Sequence, residues 1–427
     1  MLILQNSIVI SVAIYIFLLL RKKIYNKVLI ISIVSLFCIP YLNLIGAKIH
    51  FSYILVGIYL FNSIINFKIT GKVDKLLYLI ILELIIQITS TIINLAFNSK
   101  NIVFLGTSIV GTIKSIIIFI IFYKLSNLTY RMYHYNKLEF TKLILKSLRI
   151  ILIINLFFMI IQLLKPNLGV SLISNFYSSV SRMTLSSDID TFKRLYGASY
   201  SPVVTGYVIL LGLSIEIFSF KNKFFWILLY IIVGLFTSTK TFILGAVILY
   251  VFYVIAIIFT KKKSIIRKII EFIIVMLITI IVIYIIKLIL EKSDLYLAYY
   301  LKKSFDIKEM LLNRVEDNYY TGEMINYIKK SILIGNGFNV FGTYKIADSD
   351  YLVSLYYGGI LGLIAHISTY LYLLFKSINS KNIILLVVTS IIMIIGYGQI
   401  TLITDQSLIL ISLLIVKDGL GGSESEK

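Results

Sequence analysis

The sequence predicts an all-α, polytopic integral membrane protein with about 12–13 transmembrane helices. Hydrophobic residues make up 59% of the 427 residues, charged residues make up 14%, and the mean hydropathy is +0.96. Soluble domains contain about 25% charged residues, so this composition excludes a set of ordinary soluble domains. Because a spanning helix needs about 20 apolar residues, the chain accommodates roughly 13 spans with short connections.

Apolar runs of spanning length recur along the whole chain. Asp405 weakens the last run as a span, because a charge in the bilayer core is costly. No basic region precedes the first run and Arg21–Lys23 follows it, so we expect an uncleaved anchor with an outer N-terminus. The candidate spans are 3–20, 28–45, 51–67, 76–97, 103–123, 148–164, 201–219, 224–239, 241–260, 269–290, 351–375, 383–399 and 402–416.

Basic residues lie mainly between the apolar runs and do not form one continuous surface. The formal net charge is +21, but this spacing excludes nucleic acid as a partner. With the N-terminus outside, most lysines and arginines fall in inner connections and most acidic residues in outer ones, as the positive-inside rule requires. Two outer connections, 165–200 and 291–350, are long, and long loops usually carry function.

The spans and loops divide the chain into six regions. In the second long loop Ile325, Ile328 and Ile332 recur at helical spacing around Lys329 and Lys330, which predicts an amphipathic helix on the outer membrane surface. The single cysteine excludes an internal disulfide. The regions are the N-terminal transmembrane helices (1–164), an outer loop (165–200), the central transmembrane helices (201–290), a large outer loop (291–350), the C-terminal transmembrane helices (351–416) and a cytoplasmic tail (417–427).

Several charges lie inside the apolar runs. Glu83 and Lys114 have similar depths in consecutive spans, so we predict an ion pair between them. Glu216, Glu271 and Lys287 lie near span ends, where long side chains reach the interface. With a single deep carboxylate, a proton relay is not expected, which argues against a transporter. No two of the three histidines have the spacing of metal ligands, so no metal site is predicted.

Three polar sites are predicted to converge at the outer membrane level. The first combines Arg194, whose planar fork suits phosphate, with Gly197, which permits close backbone approach. The second is a hydroxyl-rich turn around Lys240, a cation that suits lipid headgroups equally well. The third, 313–362, contains glycine-rich stretches and two aspartates.

Those aspartates, Asp348 and Asp350, have the spacing of the DxD metal motif of sugar transferases, a pattern with little specificity. Asp350 is expected where the loop re-enters the membrane. A carboxylate in such a partly dry place is a better proton acceptor. The structural alternative for Asp350 is a helix N-cap.

In this region the sequence resembles the bacterial polytopic polysaccharide polymerases and ligases: the Wzy-type polymerases of O-antigen and capsule, and the related O-antigen ligases. The resemblance covers roughly 190–375 and lies in the order and outer placement of short motifs. The matching residues are Arg194-Leu195-Tyr196-Gly197 with Pro202, the turn from Thr237 to Lys240, Arg314, the run from Ile334 to Phe338, the run from Asp350 to Leu352, and the run from Gly358 to Gly362.

The resemblance implies a GT-C-like glycosyltransferase in the bacterial cytoplasmic membrane, with its active site on the outer face. It implies that a growing glycan moves from undecaprenyl pyrophosphate to a lipid-linked repeat unit without metal or cofactor. Cations hold the pyrophosphate and a carboxylate takes the acceptor proton. The implied partners are undecaprenyl-pyrophosphate-linked oligosaccharide repeat units, membrane lipid and a chain-length regulator. The implied catalytic residues are Asp350, Arg314 and Arg194, and the implied substrate-binding residues are Lys240, Gly197, Gly335, Gly337, Asp348 and Tyr351.

Two departures from the family bear on the choice within it. Lys240 stands where the family often has arginine, which keeps the charge and loses the bidentate fork. Asp350 stands where ligases place a histidine, which favours a polymerase over an O-antigen ligase. A lipid-linked oligosaccharide flippase or other transporter is the competing class, and it should show two pseudo-symmetric halves and a polar cavity across the membrane.

Overall fold

A computed structural model describes most of the chain. Arg314, Asp348, Glu271, Lys287 and the tail from residue 420 lie outside the described residues. The described residues are 2–44, 47–66, 74–97, 102–104, 106–177, 181–191, 194–199, 201–219, 224–260, 266–267, 269–270, 273, 319–341, 349–398 and 401–419.

The described chain is predominantly helical, so the all-α prediction is confirmed. Strand structure in the described ranges is limited to two antiparallel pairs: β1 (Leu42–Leu44) with β2 (Ala47–Ile49), and β3 (Ile102–Phe104) with β4 (Asn339–Phe341). One turn of π-helix, Ser187–Thr191, follows α8. The α-helices are α1 Leu2–Arg21, α2 Tyr25–Cys38, α3 Phe51–Asn66, α4 Leu76–Phe97, α5 Gly106–Met132, α6 Lys137–Leu164, α7 Pro166–Phe176, α8 Arg182–Ser186, α9 Pro202–Ser219, α10 Phe224–Phe236, α11 Lys240–Thr260, α12 Tyr319–Lys330, α13 Asp350–Asn379, α14 Ile383–Ile395 and α15 Asp405–Gly419.

Apolar helices dominate the architecture. Six of them in the described chain, α1, α4, α5, α6, α9 and α13, are long and apolar enough to cross a membrane. Shorter apolar helices of 10–17 residues lie within α2, α3, α10, α11, α14 and α15. Together they coincide with every candidate span except 269–290, which lies outside the described residues apart from positions 269, 270 and 273. These helices define a multi-pass membrane protein.

Helices α5 and α6 continue well beyond their apolar runs. The sequence predicts an inner connection over 124–149, but only 133–136 separates the two helices. Asn136 starts α6, because its side chain accepts hydrogen bonds from the backbone N–H groups of Leu138 (3.0 Å) and Glu139 (3.2 Å). Lysine and arginine are good helix formers. The basic residues here therefore do not end the helices.

The described part of the outer loop 165–200 is largely helical. Helix α7 begins with Pro166 at its first position, where the missing N–H costs no helical hydrogen bond. Ser181 caps α8, because its hydroxyl accepts a hydrogen bond from the backbone N–H of Thr184 at 3.3 Å. In the second long loop, α12 covers Ile325 and Ile328, and Ile328 is 6% exposed.

By internal packing the chain divides into two compact units. Unit 1 consists of Met1–Leu148 and Arg314–Lys427, and unit 2 consists of Arg149–Asn313. In unit 1 α13 packs on α4 and α14, and α15 packs on α5. In unit 2 α9 packs on α10 and α11. Unit 1 therefore joins the two ends of the chain, and unit 2 is formed from its middle.

Helix α13 is broken at Gly359, which has φ 62° and ψ −157°. In a straight helix Asp350 and Tyr370 would lie about 30 Å apart. Instead the Tyr370 hydroxyl donates a hydrogen bond to Asp350 Oδ2 at 3.0 Å. The first segment of α13, 350–358, therefore folds back along the second segment, 360–379.

Close packing of these two segments depends on a second glycine. A Cβ on Gly362 would lie 3.0 Å from the carbonyl oxygen of Ser354, so glycine allows the segments to approach each other closely. The candidate span 351–375 therefore contains a break at Gly359. An apolar run has the same composition whether its helix is straight or folded back, and the sequence pattern could not distinguish the two.

The break at Gly359 frees backbone groups, and a neighbouring stretch of unit 1 satisfies them. Buried backbone groups inside a membrane need such partners. Gly335 makes the contact possible: its φ is 81°, and a Cβ there would collide with the backbone of Gly359. The hydrogen bonds run from Ile360 N to Ile332 O (2.8 Å), from Asn336 N to Tyr356 O (2.7 Å) and from Gly337 N to Tyr357 O (2.9 Å).

We expect Gly359→Ala to destabilise unit 1 by about 3 kcal/mol or more. Its backbone conformation costs a residue with a side chain about 1–3 kcal/mol, and the new Cβ would also collide with the carbonyl group of Leu333. The measurement is the free energy of unfolding in detergent. Gly57→Ala is the matched control, because nothing lies within 4 Å of a Cβ at Gly57. Equal stability of the two variants would contradict the folded-back geometry.

Candidate functional site

Asp350, the first residue of α13, has a buried carboxylate in a fixed position. Its Oδ2 accepts hydrogen bonds from the backbone N–H of Leu402 (2.8 Å) and from the hydroxyls of Tyr370 and Thr401 (3.0 Å each). The residue is 4% exposed, and its own N–H donates to Gly396 O at 2.8 Å. Among the described residues none donates a hydrogen bond to Oδ1. That oxygen is therefore the one left for an incoming proton.

The position of Asp350 differs from that of a residue at the turn of α13. Nine helical positions, or roughly 13 Å, separate it from the turn at Gly359, and it lies beside the middle of the second segment of α13. The N-cap alternative also differs from what is observed. Ser349 is the N-cap residue, and the backbone N–H that Asp350 holds belongs to Leu402, outside its own helix.

A histidine and a second carboxylate continue the line from Asp350. His366 Nε2 lies 3.5 Å from Asp350 Oδ2, and His366 Nδ1 lies 3.1 and 3.2 Å from the two carboxylate oxygens of Glu83. Ser354 Oγ (2.9 Å) and Gln87 Nε2 (3.2 Å) donate to Glu83 Oε1. His366 and Glu83 are each 1% exposed. The expectation of a single deep carboxylate is therefore wrong.

Two tyrosines hold the imidazole of His366 in place. The rings of Tyr351 and Tyr370 meet it edge-on, with centroids 5.9 and 5.2 Å away. The Tyr351 hydroxyl donates to Met393 O at 2.6 Å, which fixes the orientation of its ring. Both nitrogens of His366 face carboxylate oxygens. In the described part of the chain no group of three His, Cys, Asp or Glu side chains is placed to hold a metal ion.

The predicted ion pair between Glu83 and Lys114 is wrong. Lys114 Nζ lies 2.8 Å from Asp405 Oδ2, and the Ser115 hydroxyl donates to Asp405 Oδ1 at 2.7 Å. Glu83 faces α13, whereas Lys114 faces α15. Matching depths in two helices do not determine which faces of the helices meet, and Asp405, the residue that weakened 402–416 as a span, is the true partner.

Glu216 is also not the interfacial side chain that its position near a span end predicts. Its side chain is 0% exposed. Arg149 holds it bidentately, from Nη2 to Oε1 at 2.7 Å and from Nε to Oε2 at 3.1 Å. The Arg149 guanidinium also lies over the ring of Trp226, 4.6 Å from its centroid. This is a buried structural ion pair in unit 2.

Arg194 lies in unit 2 on a loop fixed by Asp188. The Tyr196 hydroxyl donates to Asp188 Oδ2 at 2.6 Å, and the Arg194 N–H donates to Asp188 O at 2.8 Å. Burial and the nearby carboxylate of Asp188 raise the pKa of Tyr196, so its phenol remains a donor. Arg194 is half-buried, and among the described residues its buried Nε has no hydrogen-bond partner.

Gly197, on the same loop, meets two amides of α6. The Gln162 side chain accepts from Tyr196 N (2.9 Å) and donates to Gly197 O (3.0 Å), and Asn155 Oδ1 accepts from Ala198 N (3.0 Å). Gly197 has φ 63°, and a Cβ there would collide with the Asn155 amide. Packing within the protein therefore already requires a glycine at this position.

The hydroxyl-rich turn lies beside the Arg194 loop, because Leu195 N donates to Phe236 O at 3.1 Å. Ser238 has φ 48°, and its buried Oγ has no hydrogen-bond partner in the described part of the chain. Lys240 is the first residue of α11. These two linked segments therefore carry a guanidinium N–H, a hydroxyl and the positive end of a helix, and each of these groups attracts an anion.

The predicted site residues fall into two groups. The sequence did not predict which residues contact them. These contacting residues are polar side chains inside apolar runs, and that unusual placement was the signal that could have revealed them: Glu83, His366, Asn155 and Gln162. Unit 1 holds Asp350, Tyr351, Gly335 and Gly337, unit 2 holds Arg194, Gly197 and Lys240, and Arg314 and Asp348 lie outside the described residues.

The architecture is that of a multi-pass α-helical membrane protein, and the described part of each unit contains buried polar clusters. No protein-family model matches the sequence, and a comparison with curated proteins gives no match either. The chemistry of these clusters is therefore the basis for a functional proposal.

Proposed function

We propose that this protein is a Wzy-type polymerase of a surface polysaccharide, O-antigen or capsule, with a GT-C-like architecture. It acts on the outer face of the bacterial cytoplasmic membrane and moves a growing glycan from undecaprenyl pyrophosphate to a lipid-linked repeat unit. The observation that carries the proposal is the carboxylate of Asp350. Three donors hold its Oδ2, and Oδ1 is left for a proton.

Asp350 is the general base of this proposal. The acceptor hydroxyl attacks the anomeric carbon, the bond from that carbon to the phosphate oxygen breaks, and its electron pair leaves with the pyrophosphate. The hydroxyl proton passes to Asp350 Oδ1. Tyr370 and Thr401 fix the direction of the carboxylate, and such pre-orientation lowers the barrier of a proton transfer.

In this proposal the anion-binding groups of unit 2 bind the pyrophosphate group of the lipid carrier. Arg194 Nε and Ser238 Oγ are donors with no partner among the described residues, and Lys240 begins α11 two residues after Ser238. Donors placed in advance stabilise the charge that develops on the leaving group. Arg314 adds a further cation, and Asp348 and the ring of Tyr351 contact the sugar.

The test is elongation by the purified protein in lipid nanodiscs, supplied with undecaprenyl-pyrophosphate-linked repeat units and read as a ladder on a gel. We expect Arg194→Ala to slow elongation about 10²–10³-fold, as loss of one transition-state donor does. Arg194→Lys should restore part of the rate, because it keeps the charge and loses the fork. Arg182→Ala, an exposed arginine of the same outer loop, is the matched control and should retain the parental rate.

Two results would argue against this proposal. A parent protein that never makes products longer than one repeat unit excludes a polymerase, and transfer to a different acceptor would identify an O-antigen ligase. An Arg194→Ala variant that elongates as fast as Arg182→Ala removes Arg194 from the pyrophosphate site.

A second candidate is a proton-coupled flippase for lipid-linked oligosaccharides. The observation that favours it is the line of Glu83, His366 and Asp350 beside a broken helix. Buried ionisable groups next to discontinuous helices are typical of transporters. Vesicles containing the protein and a labelled lipid-linked oligosaccharide distinguish the two. Translocation that follows an imposed pH gradient, with no elongation, would favour the flippase.

A further inference from the structure

Glu83, His366 and Asp350 lie in line, and a buried Asp350 must remain ionised if it is to act as a base. An isolated carboxylate in a buried site favours its neutral form, and a neutral carboxylic acid cannot accept a proton from a substrate. Asp350 is 4% exposed. A base at this position therefore needs a nearby positive charge that keeps it ionised.

His366 is the one group placed to supply that charge among the described residues around Asp350. A neutral imidazole donates from one nitrogen only, whereas here a carboxylate faces each nitrogen, at 3.1 Å from Nδ1 and 3.5 Å from Nε2. The doubly protonated ring carries an N–H at both nitrogens and matches this arrangement: Nδ1 hydrogen-bonds to Glu83, and Nε2, which makes no hydrogen bond to the described residues, faces the Asp350 carboxylate at ion-pair distance. In the described chain, the titratable side chains facing His366 are Glu83 from α4, Asp350 and Tyr351 from the first segment of α13, and Tyr370 from the second.

Glu83 in turn holds the imidazolium. Both of its oxygens lie within 3.2 Å of His366 Nδ1. Ser354 and Gln87 also donate hydrogen bonds to Glu83 Oε1, which favours the carboxylate form. The order of charges is therefore negative, positive, negative, and each charge stabilises the next.

We propose that Glu83 and His366 are positioning residues that keep Asp350 ionised and aimed in its buried site, an inference that rests on the proposed role of Asp350 as base. Neither residue exchanges a proton with the substrate. Glu83 acts on His366, and His366 acts on Asp350.

Nitrogen NMR of the protein labelled with ¹⁵N-histidine tests the charge directly. The chain has three histidines, and the His366 signals are assigned by their loss in His366→Gln. His50 is an internal reference for a neutral ring, because burial lowers the pKa of His50 to about 4. We expect both nitrogens of His366 to be protonated at neutral pH in the parent protein. They should remain so in Asp350→Asn, which keeps Glu83, and lose a proton in Glu83→Gln.

The pH dependence of elongation tests the consequence. Without Glu83 the imidazolium is less favoured, and Asp350 loses its neighbouring positive charge. In Glu83→Gln the pH of half-maximal rate should therefore rise by about 1–2 units, the usual effect of one neighbouring charge. Ser368→Ala changes a half-buried residue on the same helix whose hydroxyl donates to Ile364 O, and it should leave the pH profile unchanged.

These two measurements separate failure of the inference from failure of the proposed function. A neutral His366 in the parent protein at neutral pH overturns the inference, whatever the activity. A doubly protonated His366 that depends on Glu83, in a parent that elongates nothing, supports the charge arrangement and rejects the polymerase. An unshifted pH profile in a folded, active Glu83→Gln variant also overturns the inference.

Discussion

Asp350→Asn is expected to slow the joining of repeat units about 10²–10⁴-fold, the usual contribution of a general base. The amide oxygen can still accept from Tyr370, Thr401 and Leu402, so the fold around it should persist. The amide cannot take a proton from the acceptor hydroxyl. Lipid-linked repeat units should therefore bind to the variant and remain unjoined.

Elongation and binding are measured on the same purified Asp350→Asn protein. Glu139→Gln is the matched carboxylate-to-amide control, because its side chain is 43% exposed in the first turn of α6 and should leave the rate unchanged. A structural role for Asp350 predicts that asparagine serves nearly as well. Parental elongation by Asp350→Asn would therefore remove Asp350 as the base.

Arg149→Leu is expected to destabilise unit 2 by about 3–5 kcal/mol, because it leaves a buried carboxylate without its partner. Glu216 is 0% exposed and accepts both of its ion-pair hydrogen bonds from Arg149. Removing the carboxylate instead, in Glu216→Leu, should lower the free energy of unfolding by less, about 1–3 kcal/mol. Arg149 is 29% exposed, and its long side chain can move its charge towards water.

The double variant Arg149→Leu with Glu216→Leu should be more stable than Arg149→Leu alone, since it leaves no charge buried. Free energies of unfolding in detergent provide the comparison. Lys142→Gln, on the same helix as Arg149, is the control: Lys142 and Glu139 are 52% and 43% exposed, and such surface pairs contribute under about 1 kcal/mol. Equal losses in Arg149→Leu and Lys142→Gln would contradict a buried structural pair.

The sequence predicted the helices well and their contacts poorly. Apolar length alone located the spans, because a helix is the element that satisfies its own backbone in lipid. Apolar length could not reveal that α13 folds back at Gly359, because a straight helix and a folded-back helix have the same composition. The positions of Glu83 and Lys114 along their helices likewise predict similar depths. They do not show that Glu83 faces α13 and that Lys114 faces α15. Only tertiary packing decides which faces meet.

For the candidate site, the sequence directed attention to Asp350 and not to His366 and Glu83, the ionisable residues that lie in line with it. His366 was a lone polar residue in an apolar run, 16 positions along the same helix, and only the break brings it beside Asp350. In unit 2 the hydroxyl-rich turn and Arg194 were both predicted, and the bond from Leu195 to Phe236 joins their loops. Local motifs are visible in one chain segment, whereas a cluster assembled from distant helices is not.

Unit 1, built from both ends of the chain, imposes an order on biosynthesis. Charged residues in the N-terminal part of unit 1 pair with residues that are synthesised much later. His366 follows Glu83 by 283 residues, Asp405 follows Lys114 by 291, and Lys376 follows Asp74 by 302. The ribosome adds about 5–20 residues each second, so these charges stay unmatched in the nascent protein for roughly 15–60 seconds. During that interval the early helices need water or an insertion factor beside them, and the middle of the chain can fold first.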